Sequence, residues 1–301
     1  MEITKDKNQI RSLAQIFSTA NFKKIVRDED YFDTFYRVDR YTKVKEGTTN
    51  LQVLNQIYKS LLRNYKNEYV YKNILINKLL LKKYSLKNTI ALNEFKIGNS
   101  IADFVLLNGE ARIYEIKTEL DGLEKLDKQL SDYEKFADKI YIVTSSKHIP
   151  NLLMKYYNSN IGIIELTQRN ALKTVKEAKK NTFAFKHDTL FKTLRKDEYI
   201  SLIRTYFKFV PDVPNTQIFR ECLKMSKKID ILEFQKLVVQ KLKYRNISNP
   251  EVFKERQIPE SLKHICYSLD FSEAEYQQLE YFLSQKSKIC ISHMSEVSNL
   301  S

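Results

Sequence analysis

The sequence predicts an α/β protein, a mixed sheet flanked by helices, followed by a mainly helical carboxy-terminal region. Changes of hydrophobic period carry this expectation. Apolar residues recur at helical spacing from Leu51 to Tyr84, then at a spacing near two from Ile90 to Lys117. A helical stripe returns in LEKLDKQLSDYEKFA, ahead of another apolar run at Lys139 to Thr144.

Taken in order, residues 1–50 form an amino-terminal extension, with a short helix expected at Gln9 to Phe17 and a turn at Glu46-Gly47-Thr48-Thr49. Residues 51–166 form the core. Its opening helical stretch breaks near Asn67, and strands are expected at Ile90–Ile97, Ile101–Leu107, Ala111–Lys117, Lys139–Thr144 and Asn160–Glu165. Leu123, Leu126, Leu130, Tyr133 and Phe136 give the intervening helix one apolar stripe. A crossover helix makes the strands on either side of it parallel neighbours. Residues 167–301 form the helical region, with KTVKEAKKN as a basic helix and Pro211, Pro214, Pro250 and Pro259 at its boundaries.

Fifty-one basic against thirty-seven acidic residues give a formal charge of +14, which suits an anionic partner such as nucleic acid and equally suits a merely lysine-rich chain. The basic concentration that begins in KTVKEAKKN, Lys173, Lys176, Lys179, Lys180, Lys186, Lys192, Arg195 and Lys196, could follow a phosphate backbone or form a solvated helix face. No apolar run is long enough to cross a bilayer and the amino terminus lacks a greasy stretch, so no membrane is expected and the cytoplasm is. Cys222, Cys266 and Cys290 fit neither a disulfide framework nor a zinc pattern and are read as small buried hydrophobes. His148, His187, His264 and His293 lack ligand spacing.

Charged residues within the apolar strands are the chemical signal. Glu94, Asp103, Glu115 and Lys117 interrupt otherwise hydrophobic runs, and a carboxylate buried in a sheet needs a partner, which a divalent cation supplies. A two-residue Gly98-Asn99 loop of type II′ sets Glu94 opposite Asp103. A two-residue Asn108-Gly109 loop would put Asp103 and Glu115 on opposite faces. A three-residue loop of Leu107, Asn108 and Gly109, with Gly109 left-handed, returns them to one face. Glu115 and Lys117 share a face by alternation, as Gln129 and Tyr133 do by one helical turn. The bland readings are a half-solvated sheet, a surface ion pair for Glu94, a packing pair for Gln129 and Tyr133, and an i, i+4 pair of Glu68 with Lys72.

The combined text NEYVYKNILINKLLL, NEFKIGNSIADFVLLNG and ARIYEIKTELDGLEKLDKQLSDYEKFADKIYIVT resembles the PD-(D/E)xK nuclease superfamily, most closely its sce7726 family. The resemblance implies a restriction-endonuclease-like core and a metal-dependent deoxyribonuclease, a phosphodiester hydrolase using Mg²⁺ or Mn²⁺. By resemblance, Asp103 and Glu115 hold the metal with Glu68 in support, and Lys117 assists water attack; Glu94 joins the metal candidates from its register opposite Asp103. Gln129 and Tyr133 resemble the Q-x-x-x-Y signature of the RecB-like branch. Ala102 replaces the proline of the family name. DNA is favoured over RNA, residues 167–301 could receive a protein partner, and the oligomeric state is open. The alternative is a catalytically inactive nucleic-acid-binding or protein-interaction subunit of a phage, defence or mobile-element system.

Overall fold

A computed structural model describes residues 2–3, 6–84 and 86–287; Cys290 and His293 lie outside the described residues. Two compact units do not follow the segments 1–50, 51–166 and 167–301. One spans Lys78–Asn246, and the other joins the first 77 residues to those from Ile247 onward. Among the described residues no helix is long and apolar enough to cross a membrane.

The Lys78–Asn246 unit is built on a six-stranded sheet whose spatial order is its chain order. Its strands are β1 (Ile90–Ile97), β2 (Ser100–Leu107), β3 (Ala111–Lys117), β4 (Lys139–Thr144), β5 (Gly162–Leu166) and β6 (Leu172–Lys176). The meander β1–β2–β3 is antiparallel, β3–β4 and β4–β5 are parallel, and β6 returns antiparallel. Helix α1 (Leu126–Glu134) makes the expected crossover between β3 and β4, burying Leu126, Leu130 and Tyr133 against the sheet, with Phe136 just beyond its end. Helices α2 (Ile149–Tyr156), α3 (His187–Lys192), α4 (Lys196–Phe207), α5 (Asn215–Ser226) and α6 (Ile231–Leu242) supply the rest of the same core. Cys222 is buried within it.

Both hairpins carry the glycine that their turns require. Ile97 pairs with Ser100 across Gly98-Asn99, and Gly98, at φ +60, takes the first position of the expected type II′ loop. In the second hairpin Leu107 pairs with Ala111, so the three-residue loop is Asn108–Glu110, not Leu107–Gly109. Gly109 is left-handed at φ +69, and the odd loop length is the one that keeps Asp103 and Glu115 in the same alternation.

The sheet departs from expectation in two places. Lys173–Lys176 belongs to edge strand β6, not to a basic helix. A tight turn at Asn170, φ +60, reverses the chain after β5, and the return strand exposes Lys173 and Thr174 and half-buries Leu172, Val175 and Lys176. The second departure is at Glu94, whose φ of +51 removes it from the ladder. Core residues change from Ile90 and Leu92 before it to Phe95 and Ile97 after it. On β2 they change from Ala102 to Val105 and Leu107, so both strands switch face at the Glu94–Asp103 position.

The second unit is mainly helical, with a two-stranded antiparallel sheet of Glu2–Ile3 and Thr42–Lys43. Asn50–Asn64 starts at a Thr49 capping box, and Asn67 caps Glu68–Leu75 at the expected break. The extension forms helices at Lys7–Ala14 and Phe32–Tyr41. The two chain segments are tied by Asn50 Nδ2 donating to the Phe282 carbonyl at 2.9 Å and Ser287 N–H donating to Thr48 at 2.9 Å. Cys266 is buried here, which pushes its thiol up to about 12.

Candidate functional site

At the carboxyl end of β3, alternation aims Glu115 and Lys117 toward α1, where Gln129 and Tyr133 sit one turn apart. The four side chains close on one another. Lys117 Nζ donates to Glu115 Oε1 at 2.8 Å and to Gln129 Oε1 at 3.0 Å. Gln129 Nε2 donates to Glu115 Oε1 at 2.5 Å, and the Tyr133 hydroxyl lies 2.8 Å from Glu115 Oε2 and 2.7 Å from the Ile101 carbonyl oxygen. Glu115 is fully buried and its carboxylate is compensated by a cation and neutral donors, as a charge in such a place must be. Burial first, then the neighbouring Glu115 and Asp103 charges, push the Tyr133 phenol well above its ordinary value, so it stays a protonated donor.

Asp103 is half-buried, and its Oδ2 accepts the Ile116 N–H at 2.7 Å. The β2–β3 ladder ends at Phe104–Tyr114, and the Asp103 side chain supplies the next acceptor in place of a main-chain carbonyl. Asp103, Glu115, Lys117, Gln129 and Tyr133 are thus brought together. Glu94 is exposed at the strand switch. Glu68 belongs to the other unit, where it pairs with Lys72 at 2.6 Å, the i, i+4 arrangement. Among the described residues no three His, Cys, Asp or Glu side chains are grouped to hold a metal ion.

A second charged cluster, missed in the sequence, lies at the opposite end of β3. Glu110 receives Arg112 Nη2 at 3.1 Å, Lys180 Nζ at 3.4 Å and Lys139 Nζ at 3.6 Å. Lys180 also lies 3.7 Å from Asp138, whose other oxygen accepts from the Ala111 N–H and from Gln235 Nε2, both at 2.8 Å. Burial opposes the charge on Glu110, yet the Arg112 hydrogen bond and the Lys139 charge hold its carboxyl below the usual range. Alternation signals that Arg112 faces away from Glu115, but the approach of Lys180 depends on a loop that no local pattern encodes.

Fold and site together define an α/β protein with a mainly helical second unit and a self-compensated carboxylate–lysine network at the carboxyl end of an interior strand. A model of the Bacteriophage P4 protein cII family matches residues 62–265, and the chain belongs to that family. Protein cII of Enterobacteria phage P4 is 26% identical over 172 residues, covering 55% of this chain and 63% of that protein, so less than two thirds of that relative is spanned. No solved structure matches the chain. The family assignment overturns membership of the sce7726 family and the PD-(D/E)xK superfamily, and with it the expected enzyme, a metal-dependent nuclease or phosphodiester hydrolase. At Glu115 the carboxylate oxygens accept from Lys117, Gln129 and Tyr133.

Proposed function

We propose that this chain is a non-catalytic nucleic-acid-binding protein of a phage or mobile element, acting in the cytoplasm. The observation that carries this reading is a run of exposed lysines. Lys173, Lys179, Lys186 and Lys192 are exposed on β6, α3 and the segment between them; Lys173 stands across the ladder from Glu165 and Lys192 acts on the Asp188 carboxyl, but among the described residues none of the four lies within 4.0 Å of a carboxylate oxygen. With a net charge of +14, such a surface attracts a phosphate backbone by counterion release and carries no base-reading code. We infer a restriction-endonuclease-like topology for the sheet as a scaffold only, from its order of meander, crossover helix and parallel strand. Mg²⁺ or Mn²⁺ at Glu115 would have to displace Lys117 and Gln129, so binding should need neither ion.

The test is fluorescence anisotropy with labelled duplex and single-stranded DNA and RNA, from ~50 to ~200 mM salt, where phosphate contacts weaken steeply. Binding that falls with salt, persists in EDTA and leaves the strands intact is expected. Failure to bind every one of these probes at the lowest salt overturns the reading.

A further inference from the structure

The Glu110 cluster has more positive charge than its carboxylates absorb. Arg112, Lys139 and Lys180 face Glu110 and Asp138, and exposed Lys179 adjoins them in the chain. Glu177 is engaged elsewhere, its Oε2 accepting the Tyr141 hydroxyl at 2.9 Å. Arg112 also lies over the Tyr84 ring at 5.7 Å and donates to its hydroxyl, while Lys83 Nζ stands 5.7 Å from the same ring. Arg112, Lys139 and Lys180 thus surround Glu110 with Asp138 as the second acid, and Lys83 and Lys179 extend the run of cations on either side.

That carboxylate is held loosely. Its side chain is 25% exposed, Lys180 is 51% exposed, and the two lysine contacts are long, at 3.4 and 3.6 Å. Exposed pairs of this kind add little to stability. The neighbouring Gly109 puts Glu110 on a hairpin tip, and opposite it the chain is anchored by main chain: Asn181 N–H donates to the Asp138 carbonyl and Lys186 N–H to Lys135, at 2.8 and 3.1 Å. The backbone around Lys180 is thus held by main-chain bonds, and Glu110 sits on a hairpin loop closed by Asn108 N–H donating to its carbonyl at 3.1 Å, which leaves the Glu110 and Lys180 side chains as the parts free to rearrange.

We propose that this cluster is a phosphate seat of the nucleic-acid surface, in which Glu110 stands in the position of a backbone phosphate and competes with it. The proposal rests on the nucleic-acid reading above. An incoming backbone phosphodiester, with the same single charge and two free oxygens as the carboxylate, takes Lys139, Lys180 and the Arg112 fork in its place, its neighbouring phosphates adding attraction to the surrounding lysines, and the Glu110 side chain turns out to solvent. Glu110 weakens binding and keeps the seat from holding every small anion.

Anisotropy titrations of the full chain decide this, with wild type, Glu110→Gln, Lys139→Gln/Lys180→Gln and, as a charge-matched control, Lys224→Gln/Lys227→Gln. Glu110→Gln should tighten binding several-fold. Lys139→Gln/Lys180→Gln should weaken it about tenfold or more and lower the salt slope by about two, one per lost phosphate contact, beyond any change in the control. If wild type binds but Glu110→Gln does not tighten binding and the lysine pair behaves as the control does, this seat is wrong and the nucleic-acid reading stands. If wild type binds nothing, that reading falls and takes the seat with it.

Discussion

Strand β3 carries a charged cluster at each end, and the two are built to opposite rules. At its carboxyl end Glu115 is fully buried, with Lys117, Gln129 and Tyr133 all spent on its carboxylate. At its amino end Glu110 is partly exposed and faces three cations. Burial forces the first cluster to balance charge within itself, because an uncompensated ion there would be too costly. Solvent relieves the second of that demand. Excess charge survives only where water can screen it, and such a place can meet an external anion.

Removing Glu115 should produce the largest effect. Glu115→Ala leaves Lys117 facing a buried void and should cost about 3–5 kcal/mol, read as a shift in the urea midpoint. Glu115→Leu/Lys117→Met, which removes both charges, should recover much of that loss. A double variant no more stable than Glu115→Ala would show that the network does not balance charge in the way described. Tyr133→Phe is a smaller break at the same end, deleting one donor to Oε2, and should cost about 1–3 kcal/mol in the same measurement.

The closed cluster was legible in the sequence as a set of residues and not as a use. Alternation put Glu115 and Lys117 on one face and helical spacing put Gln129 and Tyr133 together, because these periods follow from backbone geometry alone. A buried acid with a lysine two residues on satisfies either a metal site or a self-balanced network, so the spacing by itself could not choose between them. The strands from Ile90 to Thr144 and the crossover were readable for the same geometric reason. Strand β6 was not, since its lysines at an exposed edge resemble a basic helix until the Asn170 turn is known. Nor was the face switch, which depends on one left-handed glutamate, Glu94, that no local propensity favours. The Glu110 cluster needs Lys180 delivered from seventy residues away by main-chain bonds at Asn181 and Lys186.

Acid should act first through a carboxylate outside both clusters. Burial works against the charge on Asp132 of α1, but hydrogen bonds from Lys135, Ser100 and the Asn99 N–H outweigh it and hold the carboxyl below its usual range. The folded value being the lower one, its contribution is complete above the unfolded value of about 4 and is lost as pH falls through the folded value. Thermal melts from pH 6 downward should therefore decline below about pH 4. Asp132→Asn should flatten that decline while lowering stability at neutral pH, and an unchanged acid limb would remove Asp132 from the account.

Glu110→Gln should have the smallest effect on stability, and the comparison needs it to be small. The carboxylate contacts three cations, which by counting alone would make it as important as Glu115. Screening argues otherwise: two of the contacts are long and the lysines are 27% and 51% exposed, so the loss should stay within about 1 kcal/mol at neutral pH. Its lowered carboxyl value gives the same sign as Asp132, a contribution present above the unfolded value and lost as pH falls through the folded one. Glu110→Gln should therefore trim the acid limb only slightly in the same melts. A loss approaching that of Glu115→Ala would mean the amino-terminal cluster holds the sheet together, and its cations would then be structural instead of available to a phosphate.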